Sequence, residues 1–300
     1  MPHAPIFVGS AAAVTTPFRE DGSLDLYSFD RILDFILERN TDAVVVCGTT
    51  GEASTLTDEE RTALIARCIK KVNKKIPVIA GTGSNNTVHA LELSQKAADL
   101  GVDALLLVTP YYNKCSPAGL VEHYRTIAGA TSLPIIVYTV PSRTGVSVTA
   151  DVWRELAAIP NIVGIKDATG DLRHTARLAA MFSADSPDSP VIYSGDDELT
   201  LPVLSLGGCG VISVVSNIIP EEMHELCRLF FGGKNDEALT LWRRIYSLTA
   251  AMFCEVNPIP VKAALAELGL CRGHLRLPLV PLSEEKRNIV RAALRITQIH

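Results

Sequence analysis

The chain has 300 residues, 47% of them hydrophobic and 20% charged, with a formal net charge of −5. That length sits a little above the ~250 residues of one (β/α)8 barrel, enough for a full core plus an appendage. Its 28 basic and 33 acidic residues are interspersed, so no basic stripe offers itself to a polyphosphate backbone and no nucleic-acid partner is expected.

Residues 1–10 contain neither Lys nor Arg and lack the apolar core of a secretory leader, and no apolar run approaches the about 18 residues of a membrane span. A cytoplasmic protein without a membrane partner is the expectation. Seven scattered cysteines form no Cys-x-x-Cys pair, and the histidines show no His-x-x-x-His or His-Glu-x-x-His spacing. No metal site and no disulfide framework is therefore expected.

Along the chain, short runs of small or β-branched residues alternate with stretches of helical period. The first run, 9–14, ends in Thr15-Thr16-Pro17 and precedes a predicted helix over 26–39. The second, 43–47, ends in Gly48-Thr49-Thr50-Gly51-Glu52. The helix predicted after it, 58–72, opens on a capping box, Thr57 with Glu60. Runs at 78–81 and 104–108 precede helices predicted over 88–100 and 117–130, and further runs follow at 135–138, 162–166, 191–194 and 210–213. No hairpin signal intervenes, so the eight runs read as a parallel sheet covered by helices.

An open doubly wound sheet and a closed barrel share this pattern, but no Gly-x-Gly-x-x-Gly loop occurs, which favours the barrel. From Gly232 onward the alternation stops and helices are predicted over 234–253, 260–268 and 283–299. The expected architecture is an α/β fold, a (β/α)8 TIM barrel over 1–231 with a small all-helical C-terminal domain over 232–300.

Barrels place reactive groups at the carboxyl ends of their strands. Lys166 ends the sixth run, and desolvation there favours a neutral amine able to attack a ketone. The plainer reading is a lysine emerging into solvent with Asp167 as its partner. Tyr138 ends the fifth run, where its phenol could shuttle protons or simply pack. The Gly48–Glu52 turn, with Thr49 and Thr50, offers backbone and hydroxyl donors to a small anion, although such turns are also ordinary connectors. Tyr111 and Tyr112 follow the fourth run. Arg143 follows Pro141-Ser142 and could clamp a carboxylate with its planar fork. Asp196 and Asp197, after the seventh run, would repel a phosphate, which favours an unphosphorylated substrate, unless they only start a helix.

Taken in order, Gly48-Thr49-Thr50-Gly51-Glu52, Ala80-Gly81-Thr82-Gly83, Thr109-Pro110-Tyr111-Tyr112-Asn113, Tyr138 to Gly145, Gly164-Ile165-Lys166 and Asn257-Pro258-Ile259-Pro260-Val261-Lys262 resemble the dihydrodipicolinate synthase branch of the pyruvate-dependent aldolase and lyase superfamily. The likeness runs over nearly the whole chain. It implies a carbon–oxygen lyase of lysine and diaminopimelate biosynthesis that condenses pyruvate with L-aspartate 4-semialdehyde and needs no cofactor. By the same resemblance Lys166 forms an imine with pyruvate, and Tyr138, Thr49 and Tyr112 relay protons. Thr49 and Thr50 hold the pyruvate carboxylate, Arg143 binds the carboxylate of the second substrate, and Gly195 and Ile212 contribute backbone groups. The family's counterpart of Tyr112 reaches in from a neighbouring subunit, which implies a homo-oligomer of at least two chains, usually a homotetramer.

The chain departs from the family pattern in two respects. Thr139 stands where relatives commonly have Asn. His89 takes the place of a Glu that, with residues matching Asn85 and Tyr111, binds inhibitory lysine in some relatives, and Asp58 and Arg61 replace histidines often found nearby. Weak or absent feedback inhibition by lysine is the expectation. Alternative readings are an aldolase for 2-keto-3-deoxy acids or N-acetylneuraminate using the same Lys166, a metal-dependent aldolase, and a catalytically silent ligand-binding barrel.

Overall fold

A computed structural model of the chain describes residues 5–182 and 189–297. The expected strands form as β1 (Gly9–Ala13), β2 (Ala43–Val46), β3 (Val78–Gly81), β4 (Ala104–Val108), β5 (Ile135–Thr139), β6 (Ile162–Asp167), β7 (Val191–Ser194) and β8 (Gly210–Ser213). They order β1 to β8 in a closed parallel barrel, the outcome favoured by the missing nucleotide loop. Nearly every strand residue is buried, as parallel strands covered by helices require.

The helices are α1 (Leu26–Leu37), α2 (Asp58–Val72), α3 (Thr87–Leu100), α4 (Pro117–Gly129), α5 (Pro141–Thr144), α6 (Ala150–Ala157), α7 (Leu172–Met181), α8 (Thr200–Ser205) and α9 (Pro220–Phe231), followed by α10 (Asn235–Ala251), α11 (Ile259–Glu267) and α12 (Glu284–Ile296). Residues 298 and 299, included in the last predicted helix, lie outside the described residues. Local chemistry sets the starts. Thr57 accepts from Glu60 N–H while the Glu60 side chain accepts from Thr57 N–H, and Asp25, Asn86, Ser116, Thr149, Asp171 and Ser283 cap α1, α3, α4, α6, α7 and α12. Each such cap stabilises by about 1 kcal/mol.

The described residues divide into two compact units, a first of 5–8, 77–182 and 189–212 and a second of 9–76 and 213–297. In the first unit the Phe7 ring stacks on Tyr193 of β7, centroids 4.4 Å apart, and the Tyr193 hydroxyl donates to the Phe7 carbonyl at 2.9 Å. In the second, α9 packs on α10 and α11 on α12. We propose 231/232 as the junction of barrel and helical appendage, where Gly233 takes the left-handed φ of +75° that favours glycine. Among the described residues no helix is long and apolar enough to cross a membrane, and no group of three or more His, Cys, Asp or Glu could hold a metal ion.

Candidate active site

In the first unit, the inward row of the sheet carries Tyr138 on β5, Lys166 on β6 and Tyr193 on β7, which are register partners. Register partners point to the same face, so the three side chains share one side of the sheet. Lys166 is 6% exposed and Tyr138 7%, and the Lys166 Nζ sits 4.3 Å from the centroid of the Tyr138 ring. Burial pulls the Lys166 pKa down from 10.5 to about 8; Asp197 opposes this and Arg143 adds to it. At pH 8 about half the amine is then neutral, against well under 1% for an ordinary lysine.

Asp167 is not the partner of Lys166. Successive strand residues face opposite sides, and the Asp167 carboxylate is buried where it accepts from Thr169 N–H at 3.0 Å and the Thr175 hydroxyl at 2.7 Å. The solvent-facing reading of Lys166 fails on both counts. Gly195 has a steric reason: a Cβ there would lie 3.1 Å from Lys166 Cε and 2.7 Å from Ala168 Cβ. Its N–H donates to Asp167 O at 2.7 Å, which fixes the strand end beside the lysine. Ile212, 1% exposed on β8, follows Val211, whose register partner Ser194 precedes Gly195.

Arg143 sits on the single turn of α5, exposed, and Gly145 ends that turn at φ +69°. Tyr112 stands apart from the buried set, 89% exposed and with a left-handed φ of +72°. That backbone is a strained choice for an aromatic residue, costing roughly 1–3 kcal/mol. Thr139, next to Tyr138, is fully buried and its hydroxyl finds no hydrogen-bond partner among the described residues.

In the second unit, the turn after β2 is built from tight backbone bonds, with Gly51 N–H donating to Gly48 O at 3.1 Å and Glu52 N–H to Thr49 O at 3.0 Å. A Cβ on Gly51 would come within 3.2 Å of Val14 O, and the Thr16 hydroxyl donates to Gly51 O at 2.7 Å. Thr49 is half-buried. Thr50 is 3% exposed, and its Oγ1 accepts from Asn257 Nδ2 at 3.0 Å. Glu52, at φ +52°, forms a wholly buried ion pair with Lys262 at 2.5 Å. Lys262 also donates to Thr16 O at 2.8 Å, and Arg276 N–H donates to Glu52 Oε2 at 3.1 Å. Burial pulls the Lys262 pKa down and the Glu52 carboxylate opposes it.

Three residues were not given these roles by the sequence alone. Asp197, 3% exposed, carries a charge that raises the Lys166 pKa, while its carbonyl accepts from the Thr200 hydroxyl at the start of α8 at 2.8 Å. Asn257 and Lys262 belong to a motif quoted for its likeness, yet their contacts with Thr50 and Glu52 span more than two hundred positions. The available signal was polar residues inside the otherwise apolar stretch 257–265, since buried amides and charges are kept where they have partners.

Residues 6–297 match the model of the dihydrodipicolinate synthetase family. A 4-hydroxy-tetrahydrodipicolinate synthase of Caldicellulosiruptor saccharolyticus is 48% identical over 290 residues, covering 97% of each chain. Among solved structures, a dihydrodipicolinate synthase from Thermotoga maritima superposes with a TM-score of 0.95 at 42% identity, covering 99% of this chain and 100% of its own. The chloride-inhibited dihydrodipicolinate synthase from Acinetobacter baumannii, complexed with pyruvate, superposes with a TM-score of 0.94 at 47% identity, covering 98% and 99%.

Proposed function

The chain belongs to the dihydrodipicolinate synthetase family, and from that premise we infer that it condenses pyruvate with L-aspartate 4-semialdehyde to 4-hydroxy-tetrahydrodipicolinate, a lyase step in lysine and diaminopimelate biosynthesis. One observation carries the chemistry: a buried amine, its pKa drawn to about 8, lying against a phenol.

The neutral Lys166 amine attacks C2 of pyruvate, and loss of one water leaves an imine. Removal of a C3 proton gives the enamine, whose C3 attacks the aldehyde carbon. The amine of the semialdehyde then adds to the imine carbon and displaces Lys166, closing the ring and returning the free lysine. Tyr138, Thr49 and Tyr112 carry the protons between these steps. Thr49 and Thr50 hold the pyruvate carboxylate, Arg143 takes the carboxylate of the semialdehyde, and Gly195 and Ile212 supply backbone groups beside Lys166. No cofactor and no metal is required. The exposed, strained Tyr112 fits a residue completed by assembly, so that the partner subunit's Tyr112 enters each site; a homotetramer, with a dimer as its least unit, in the cytoplasm is the assembly we propose.

The test is a comparison of kcat/KM for pyruvate with L-aspartate 4-semialdehyde against cleavage of 2-keto-3-deoxy acids and N-acetylneuraminate, with and without chelator. The first pair should lead by orders of magnitude and survive chelation. Faster cleavage of a sugar acid would move the chain to the rival aldolase activity, which the family relatives do not favour.

A further inference from the structure

Thr50 lies on a turn tied down by buried contacts. Two residues on, Glu52 is clamped by the Lys262 ammonium and by Arg276 N–H, and Lys262 is itself tied to Thr16 O and lies 4.4 Å from the centroid of the Phe18 ring. What remains free at Thr50 is rotation of its hydroxyl, which has one proton and two acceptor lone pairs. Asn257, 8% exposed, donates its amide N–H to Thr50 Oγ1 at 3.0 Å. That bond occupies a lone pair and leaves the hydroxyl proton for another acceptor. An ionised carboxylate is acceptor-only, so it matches a hydroxyl whose proton has been kept available.

We propose that Asn257 is a positioning residue that orients the Thr50 hydroxyl as a donor toward the carboxylate of the keto acid. The inference rests on the reading of Thr50 as a carboxylate ligand. It assigns the stretch beginning at Asn257 a role in substrate affinity: Asn257 sets the direction of the proton, and Lys262 holds the turn that carries it. Asn257 touches Thr50 and acts through it, so its loss should weaken pyruvate binding while leaving the Lys166 amine as reactive as before.

The experiment is a double-mutant cycle of Asn257→Leu and Thr50→Val, read as the pyruvate concentration that half-saturates borohydride trapping on Lys166. Each single variant should raise that concentration by roughly tenfold, the size of one hydrogen bond to a charged group, with the trapping rate at saturation changed far less. The double variant should be no worse than Thr50→Val alone, and Asn257→Gln, which keeps the donor, should recover part of the loss. Effects that multiply in the double variant, or an Asn257→Leu variant with unchanged half-saturation, overturn the proposal. If Asn257→Leu does not fold, Asn257→Ser run through the same cycle reads the same coupling. Failure of the functional reading is seen separately: the unaltered chain would then give no pyruvate adduct on Lys166, or Thr50→Val would leave its half-saturation unchanged.

Discussion

At the scale of single residues, the proposed chemistry depends on the protonation of Lys166. Its pKa falls from 10.5 to about 8 because burial disfavours the ammonium. If the neutral form is the nucleophile, as proposed, imine formation should rise about tenfold per pH unit below 8 and level off above it. Asp197 raises the Lys166 pKa, so Asp197→Asn should move this limb to lower pH; a stopped-flow pH profile of imine formation that stays put or moves upward would contradict the assignment. Thr139 gives a second test. Its buried hydroxyl has no partner among the described residues, and replacing an unsatisfied hydroxyl by a methyl removes a desolvation cost. Thr139→Val should therefore leave stability unchanged or raise it by about 1 kcal/mol in urea unfolding, whereas a clear loss would mean that the hydroxyl is in use. The strand-end positions of Lys166 and Tyr138 were legible in the sequence because apolar runs end visibly. The roles of Asp197 and Thr139 were not, since they depend on which neighbours the backbone brings near.

At the scale of elements, two arrangements hold the residues of the proposed site in place. In the second unit, the Lys262 and Glu52 pair has no exposed charge, and leaving one buried charge alone costs about 3–5 kcal/mol. Lys262→Met should lower stability by that amount in a denaturant titration and raise the KM for pyruvate by loosening the Thr49–Glu52 turn; a variant as stable as the parent would show the pair to be dispensable. In the first unit, Tyr193 is latched to Phe7 by ring stacking and by its hydroxyl bond, and Gly164 leaves room for that ring, a Cβ there standing 3.3 Å from Tyr193 Cε2. Tyr193→Phe should cost about 1–2 kcal/mol of stability for the lost hydrogen bonds and leave pyruvate trapping unchanged. Strand bounds were readable to within one residue, and the capping box at Thr57 and Glu60 was read directly. The Phe7 latch and the Lys262 pair were hidden, because local periodicity says nothing about partners far away in the chain.

At the scale of the whole molecule, alternation of strand and helix together with a missing phosphate loop was enough to choose a closed barrel with a helical C-terminal region. Assembly and regulation are different matters, since a single chain's pattern does not encode its partner surface. We propose weak or absent inhibition by lysine, because His89 on α3 replaces the carboxylate that would face an ammonium ion; half-inhibition below millimolar lysine in a steady-state assay would refute it. If Tyr112 serves a neighbouring site, Tyr112→Phe should lower kcat with little change in the folding of the chain.

The most direct measurement is borohydride reduction in the presence of pyruvate, followed by peptide mass mapping of the trapped chain. A single adduct on Lys166, with the rate of trapping following an ionisation near pH 8, is the result expected. No adduct, or one on Lys262 or a surface lysine, would contradict imine catalysis by Lys166.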